Sequence, residues 1–227
     1  SPQARVERTT ANLPEGGSET TVTIHTPAGP LVRRSRTLPE AATAWTVEHF
    51  CKDAADVERL LSLPREPVHY DGSTFAAADV RIGEAGLVLG ETPDALCLAA
   101  ELFDSSTYAV TAMAEPDLFV RILDYFHAAV MERLEAMLAA GPIRFVRIYG
   151  PEYAAPPFLP PRLFDRYVTP YVTPMIERIH DAGAFVRIHC HSRVLDLLPK
   201  FVAMGADATD PVEPPPDGDV TLAEAKR

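Results

Sequence analysis

The stretch FVRIHCHSRV, residues 185–194, ends a short apolar run with two histidines on either side of a cysteine. Its first four letters, FVRI, also occur at residues 145–148. The two copies predict strands at 143–150 and 184–190, separated by a helical segment long enough to cross back over a sheet. Connections of this length join parallel strands, so we expect a parallel sheet with helices outside it.

The same alternation of strand and helix extends upstream. GLVLG, residues 86–90, predicts a strand, and the helix after it has Thr92 as its N-cap and Pro93 at its first position. A long amphipathic helix is predicted from about 116 to 140, where apolar residues recur at helical spacing. A further helix is predicted from about 161 to 182, between the two FVRI strands.

Downstream, Ser192 is predicted to cap a helix that ends at Gly205, and residues 206–214 predict a strand that runs into a loop. This gives about four parallel strands. Eight strands are needed to close a (β/α)8 barrel, so the chain holds either a small open sheet or part of a barrel.

The N-terminal part follows a different pattern. Residues 1–20 are polar and are interpreted as a flexible lead-in, and residues 21–37 predict a β-hairpin whose turn contains Pro27. A short helix is predicted within 45–63. We therefore expect one α/β domain from residue 21 to 227.

The composition of the chain disfavours several classes of partner and location. The net charge of −11 disfavours nucleic acid and anionic membranes as partners. Three widely spaced cysteines do not form a disulfide framework, so a cytoplasmic location is expected. No apolar run reaches membrane-spanning length, and the N-terminus has no signal-peptide pattern.

Polar residues follow three of the predicted strands. Working residues of parallel α/β proteins lie just beyond the carboxyl ends of the strands, so these residues are candidates for one site. They are Tyr149, Glu152 and Tyr153 after the first strand, His189, Cys190 and His191 after the second, and Asp207, Asp210 and Glu213 after the third.

Strand alternation places His189 and His191 on one face and Cys190 on the other. Two imidazoles at a strand end are a common part of a zinc site, and Glu213 is the candidate for a third ligand. Alternatively, the histidines are hydrogen-bonded at the end of the strand and Cys190 is buried and inert. Spacing alone leaves both interpretations open.

Arg147 and Arg187 share the parity of Tyr149 and His189, so these side chains are expected on one face of the sheet. Two guanidiniums there suit an anionic substrate. Buried ion pairs with nearby carboxylates are the alternative, which we favour from the residues alone. Glu152 is either a general acid or base or a solvated loop residue.

The order of these motifs resembles the uroporphyrinogen decarboxylase superfamily. The resemblance rests on HTPAGPL, EHFCKDAADVERLL and the long segment from YGPEYAAPPFLPPRLF through FVRIHCHSRV to DPVEPPPDGDV. It covers most of residues 20–227. It implies a (β/α)8 barrel with its site at the carboxyl-terminal rim, and it implies that this chain lacks some barrel strands.

The superfamily contains two chemistries, which imply different sites. Its metal-free decarboxylases bind a carboxylate-rich tetrapyrrole through an arginine-bearing N-terminal motif, which we do not find here. Its zinc-dependent methyltransferases use an H-x-C motif and a later cysteine. His189 matches that histidine, His191 stands in the place of the cysteine, and Cys190 is the variable middle residue. The later cysteine would fall beyond residue 227.

The resemblance therefore favours methyl or demethyl transfer with a corrinoid carrier protein as partner and a small-molecule substrate, and a homodimer is compatible with it. Zinc would be held by His189, His191 and Glu213, with Glu152 and Tyr153 on the substrate side. A histidine in place of a thiolate makes zinc a weaker activator of a bound thiol but leaves it a Lewis acid.

Two other hypotheses stay open. One is metal-free decarboxylation of a tetrapyrrole, with Arg147, Arg187 and Tyr149 contacting the substrate. The other is a ligand-binding barrel, or a fragment, without catalytic activity.

Overall fold

The computed structural model describes residues 5–41, 43–65 and 67–226, as a mixed α/β protein with one antiparallel and one parallel sheet of four strands each. The strands are β1 (Arg5–Asn12), β2 (Ser18–Thr26), β3 (Gly29–Thr37), β4 (Ala44–Glu48), β5 (Gly90–Pro93), β6 (Phe145–Tyr149), β7 (Phe185–His189) and β8 (Ala208–Asp210). The helices are α1 (Ala54–Leu61), α2 (Ser73–Ile82), α3 (Ala95–Ala100), α4 (Ser105–Ala114), α5 (Pro116–Ala139), α6 (Phe164–Tyr167), α7 (Thr169–Asp181), α8 (Leu198–Met204) and α9 (Leu222–Ala225).

The chain divides into two compact units where the sequence predicted one domain. The first unit comprises Ser1–Glu66 and Ala100–Ile122, and the second comprises Pro67–Ala99 and Leu123–Arg227. All of the predicted site residues belong to the second unit.

The antiparallel sheet of the first unit begins earlier than predicted. Residues 1–20 were expected to be a flexible lead-in, but β1 pairs along its whole length with β2, from Arg5 opposite His25 to Asn12 opposite Ser18. Nearly every side chain of β1 is exposed, so the strand has no apolar alternation to indicate it. The β2–β3 hairpin is confirmed, with Pro27 in its turn.

The short helix predicted within 45–63 is confirmed as α1, and the first residues of that range form β4, which pairs with β3. α1 begins only after Asp53, whose Oδ1 accepts a hydrogen bond from the Asp56 N–H at 2.9 Å. The apolar residues Trp45 and Val47 are two apart and fit a strand, whereas Val57 and Leu60 have helical spacing.

The parallel sheet of the second unit has the predicted strands in the order β5-β6-β7-β8. In β6 and β7, Arg147 lies beside Arg187 and Tyr149 beside His189, which confirms the expected register of the two FVRI copies. The first strand was predicted at 86–90, but β5 begins at Gly90 and ends at Pro93. Thr92 and Pro93 therefore belong to the strand and not to the start of a helix. Asp94 instead caps α3, since its Oδ1 accepts from the Cys97 N–H at 2.7 Å.

The long helix α5 is confirmed within a residue of the predicted ends. The helix predicted over 161–182 is interrupted, and consists of a 3-10 turn followed by α6 and α7. Ser192 does not cap a helix: its φ of 83° places it in a turn, and α8 begins at Leu198. None of the helices in the described residues is long and apolar enough to cross a membrane.

The two faces of the parallel sheet differ. Val146, Ile148, Val186 and Ile188 are completely buried on one face. The residues that alternate with them are half-buried, including Arg147 and Arg187, except Phe185, which is exposed. The sheet therefore has one covered apolar face and one partly exposed face, and on the second face the arginines lead to Tyr149 and His189 at the carboxyl ends of the strands.

Candidate functional site

His189 ends β7 and is held by the neighbouring strand. Its Nδ1 lies 3.1 Å from Oδ2 of Asp210, the last residue of β8. The side chain is only 12% exposed. A carboxylate at Nδ1 favours the tautomer in which Nδ1–H donates and Nε2 has a free lone pair.

His191 is held by a second carboxylate. Its Nδ1 lies 3.1 Å from Oε1 of Glu213, and the other carboxylate oxygen, Oε2, accepts from the Ser192 N–H at 2.8 Å. These two partners, the Ser192 N–H first, lower the pKa of Glu213. The carboxylate is therefore ionised at neutral pH, where it orients His191.

The two histidines lie side by side. Their ring centroids are 4.7 Å apart and the rings are nearly perpendicular. Within the described part of the chain, neither Nε2 has a protein partner. An imidazole whose Nδ1–H is bound by a carboxylate and whose Nε2 is free is the usual form of a zinc-binding histidine.

Among the described residues, the two histidines are not accompanied by a third side chain that could complete a metal site. No three His, Cys, Asp or Glu residues in the described ranges are arranged to hold one metal ion. Both oxygens of Glu213, the predicted third ligand, are bound to His191 and Ser192. The two imidazoles are donors of a type that zinc accepts.

Cys190 is separated from the histidines, as strand alternation predicted. Its side chain is completely buried, and burial together with nearby carboxylates raises the pKa of its thiol well above the ordinary value. A thiol that is neutral at physiological pH is a poor nucleophile and a poor metal ligand. A buried, neutral Cys190 beside hydrogen-bonded histidines is what the alternative interpretation without a metal predicted, and both features are present here.

Arg147 and Arg187 form ion pairs, as we favoured from the residues. Nη1 of Arg147 binds Oε1 of Glu91 at 2.8 Å. Nε of Arg187 lies 2.9 Å from Oδ1 of Asp210, although the angle does not make a hydrogen bond. Each guanidinium is therefore already balanced by a carboxylate.

Tyr149, Glu152 and Tyr153 follow β6. The guanidinium of Arg147 lies 5.6 Å from the centre of the Tyr149 ring, and the Tyr153 ring is 5.7 Å from that of Phe158. Glu152 is half-buried in the 3-10 turn Pro151–Ala154, where its Oε2 accepts from the Gly150 N–H at 2.9 Å.

Asp94 belongs to the same edge of the sheet but was not predicted. It follows β5, and its side chain is 1% exposed. Because Thr92 was expected to cap the helix, Asp94 had no predicted role. The available signal was an aspartate three residues before the buried Cys97, which is the spacing of an N-cap.

An apolar concavity of about 440 Å³ occurs elsewhere in the second unit, at the amino ends of the strands. Its lining includes Leu87, Phe145 and Phe185. The concavity is therefore at the opposite end of the sheet from the histidines.

No protein-family model matches this chain, and no curated protein matches it closely enough to indicate a relationship. The assignment of the candidate site therefore depends on its residue types and on their geometry.

Proposed function

We propose that this chain is the rim-bearing part of a uroporphyrinogen decarboxylase-like (β/α)8 barrel, which binds zinc and transfers a methyl group between a corrinoid carrier protein and a small-molecule substrate. The observation that carries the proposal is the pair His189 and His191. Each presents a free Nε2 at the carboxyl end of a parallel strand and has a carboxylate on Nδ1.

His189 and His191 would hold the zinc. Asp210 and Glu213 would orient the two rings through their Nδ1 atoms. In this arrangement Glu213 is an orienting residue and not the ligand that the sequence suggested. Bound zinc acts as a Lewis acid, which polarises a substrate atom or lowers the pKa of a bound thiol or water.

Glu152 and Tyr153 would lie on the side of the site where the substrate binds. Glu152 is half-buried, so it is accessible to a bound molecule while the N–H of Gly150 fixes its direction. Tyr153, in the same turn, would contribute an aromatic surface. The four adjacent parallel strands, with one covered and one partly exposed face, are consistent with a segment of a barrel wall.

The alternative is metal-free decarboxylation of a tetrapyrrole, in which Arg147 and Arg187 bind substrate carboxylates. Their pairing with Glu91 and Asp210 weakens this hypothesis. An anionic substrate would have to displace a carboxylate from each guanidinium.

The metal content of the purified chain tests the proposal. We expect near-stoichiometric zinc by elemental analysis, and a loss of more than about nine-tenths of it in the double variant His189→Ala/His191→Ala, since catalytic zinc rarely keeps its site without its imidazoles. The matched control is His25→Ala/His69→Ala, which removes two exposed histidines and should keep the zinc.

Circular dichroism establishes that both double variants are folded. Zinc absent from the wild type, even after zinc is offered at neutral pH, would exclude the metal site and leave decarboxylation or ligand binding. With zinc present, consumption of methylcobalamin in the presence of a thiol, followed by absorbance, tests the methyl transfer itself.

A further inference from the structure

Asp94 is a buried carboxyl group with an unsatisfied oxygen. Its Oδ1 accepts from the Cys97 N–H at 2.7 Å, whereas Oδ2 is buried and has no hydrogen-bond partner in the described residues. An ionised carboxylate in such a position is unfavourable, because one oxygen has lost its hydrogen bonds to water and has gained none within the protein. The protonated form is better suited to it.

Glu152 lies on the other side of the same glycine. Its Oε2 accepts from the Gly150 N–H, and Asp94 packs so closely on Gly150 that a Cβ there would be 2.2 Å from Asp94 Oδ1. The main chains are also joined, since the Asp94 N–H donates to the Tyr149 carbonyl at 2.8 Å. Two carboxyl groups therefore flank one peptide at the ends of β5 and β6.

The surroundings of Asp94 disfavour a second negative charge. Burial first, and then the charge of Glu152, raise the pKa of Asp94 to about 8, while N–H groups of the first turn of α3 offset part of this. Among the described residues, Cys97 of α3 packs against the same glycine as Asp94, and Cys190 at the end of β7 is close enough for the charge of Asp94 to act on its thiol. The charged group acting on Asp94 is thus Glu152, and it repels.

We propose that Asp94 and Glu152 form a proton-holding carboxyl pair, in which Asp94 carries the proton and the half-exposed Glu152 is the ionised member that exchanges a proton with a bound substrate. Two carboxyl groups in one site commonly divide in this way, because like charges at short range do not both ionise.

The acid–base role of this pair rests on the methyl-transfer function proposed above. Its step is the transfer of one proton: the S–H or O–H bond of the substrate breaks, an O–H bond forms on Glu152, and the substrate is left as the anion that accepts a methyl group. Asp94 does not touch the substrate. It is a positioning residue, which remains neutral so that Glu152 carries the charge of the pair.

The titration of Asp94 tests the pair directly. We expect the ¹³C signal of its carboxyl carbon, in the full chain, to titrate with a midpoint near 8, and we expect Glu152→Gln to lower that midpoint because the repelling charge is gone. A midpoint near the ordinary value of an aspartate, or one that Glu152→Gln leaves unchanged, would overturn the proposal. This measurement does not require any Asp94 variant to fold.

Stability provides a second readout. Over the range between the ordinary pKa of an aspartate and about 8, the unfolded chain has lost the Asp94 proton while the folded chain still holds it. The free energy of unfolding therefore falls as pH rises through this range and becomes level above it.

The variant Asp94→Asn removes this dependence. Between pH 5 and 9 we expect the melting temperature of the wild type to fall by about 5–10 °C more than that of Asp94→Asn. The control Asp181→Asn, at an exposed aspartate, should follow the wild type. Parallel curves for wild type and Asp94→Asn would contradict the proposal.

The carboxyl pair and the proposed methyl-transfer function can be disproved independently of each other. An Asp94 that titrates near 8 and responds to Glu152→Gln, in a chain that binds no zinc and transfers no methyl group, would leave the pair standing and exclude the function. Methyl transfer by a chain whose Asp94 titrates as an ordinary aspartate would do the reverse.

Discussion

Replacing Gly150 by alanine is expected to destabilise the second unit by about 3–5 kcal/mol, through backbone strain and overpacking together. Gly150 has a φ of 121°, a conformation that side-chain-bearing residues rarely adopt. A Cβ at this position would lie 2.2 Å from Asp94 Oδ1 and 2.5 Å from Cys97 Cβ. Both neighbours are buried, so neither can move aside into solvent.

Differential scanning calorimetry measures this effect. A loss of this size corresponds to a fall of about 10 °C in the melting temperature of a unit of this length. Gly183→Ala is the matched control, since Gly183 has a φ of 77° and no described residue has an atom within 4 Å of a Cβ there. It isolates the backbone strain, so we expect a fall of only a few degrees, on the order of 1 kcal/mol.

Equal melting temperatures for Gly150→Ala and Gly183→Ala would show that Asp94 does not pack on Gly150. The contact between Gly150 and Asp94 is the basis of the carboxyl pair. Such a result would therefore also remove the geometric support for that pair, independently of any titration.

The parallel sheet was predictable because burial imposes a regular pattern on its strands. The repeated FVRI places Val146 and Val186 on the covered face and Arg147 and Arg187 on the other, and both the register and the ion pairs follow from that parity. β1 was missed for the converse reason. A strand that buries almost nothing carries no such pattern.

The candidate site was predictable in its residue types but not in its contacts. Alternation separated Cys190 from the two histidines, and the structure agrees. Whether Glu213 ligates a metal or orients His191 depends on the path of the loop after β8, which strand periodicity does not describe. Asp94 was missed because the burial of a carboxylate depends on the neighbouring strands, and not on its own segment.

The loop that carries Glu213 gives the second large effect. Gly218 folds back onto Glu213, so that a Cβ at residue 218 would lie 2.1 Å from the Glu213 carbonyl oxygen and 2.7 Å from its Cβ. The Val220 N–H donates to the same carbonyl at 3.3 Å. Gly218→Ala must therefore displace the main chain of Glu213.

We expect Gly218→Ala to weaken zinc binding about 10–100-fold, the usual cost of losing a residue that orients a metal-binding histidine. The displaced carboxylate no longer reaches His191 Nδ1, and the ring loses its direction. Glu213→Gln should give a similar loss, since an amide keeps an acceptor for His191 but cannot accept from the Ser192 N–H with its nitrogen. Competition with a chromophoric zinc chelator measures both affinities.

Gly141→Ala is the control for this prediction, because a Cβ at Gly141 would have no atom of the described residues within 4 Å. It should bind zinc as the wild type does. Were Gly218→Ala to match it, Glu213 would have no part in holding His191. Complete loss of zinc in a folded Glu213→Gln variant would instead make Glu213 a ligand, as the sequence first suggested, because removal of an orienting carboxylate weakens a metal site without abolishing it.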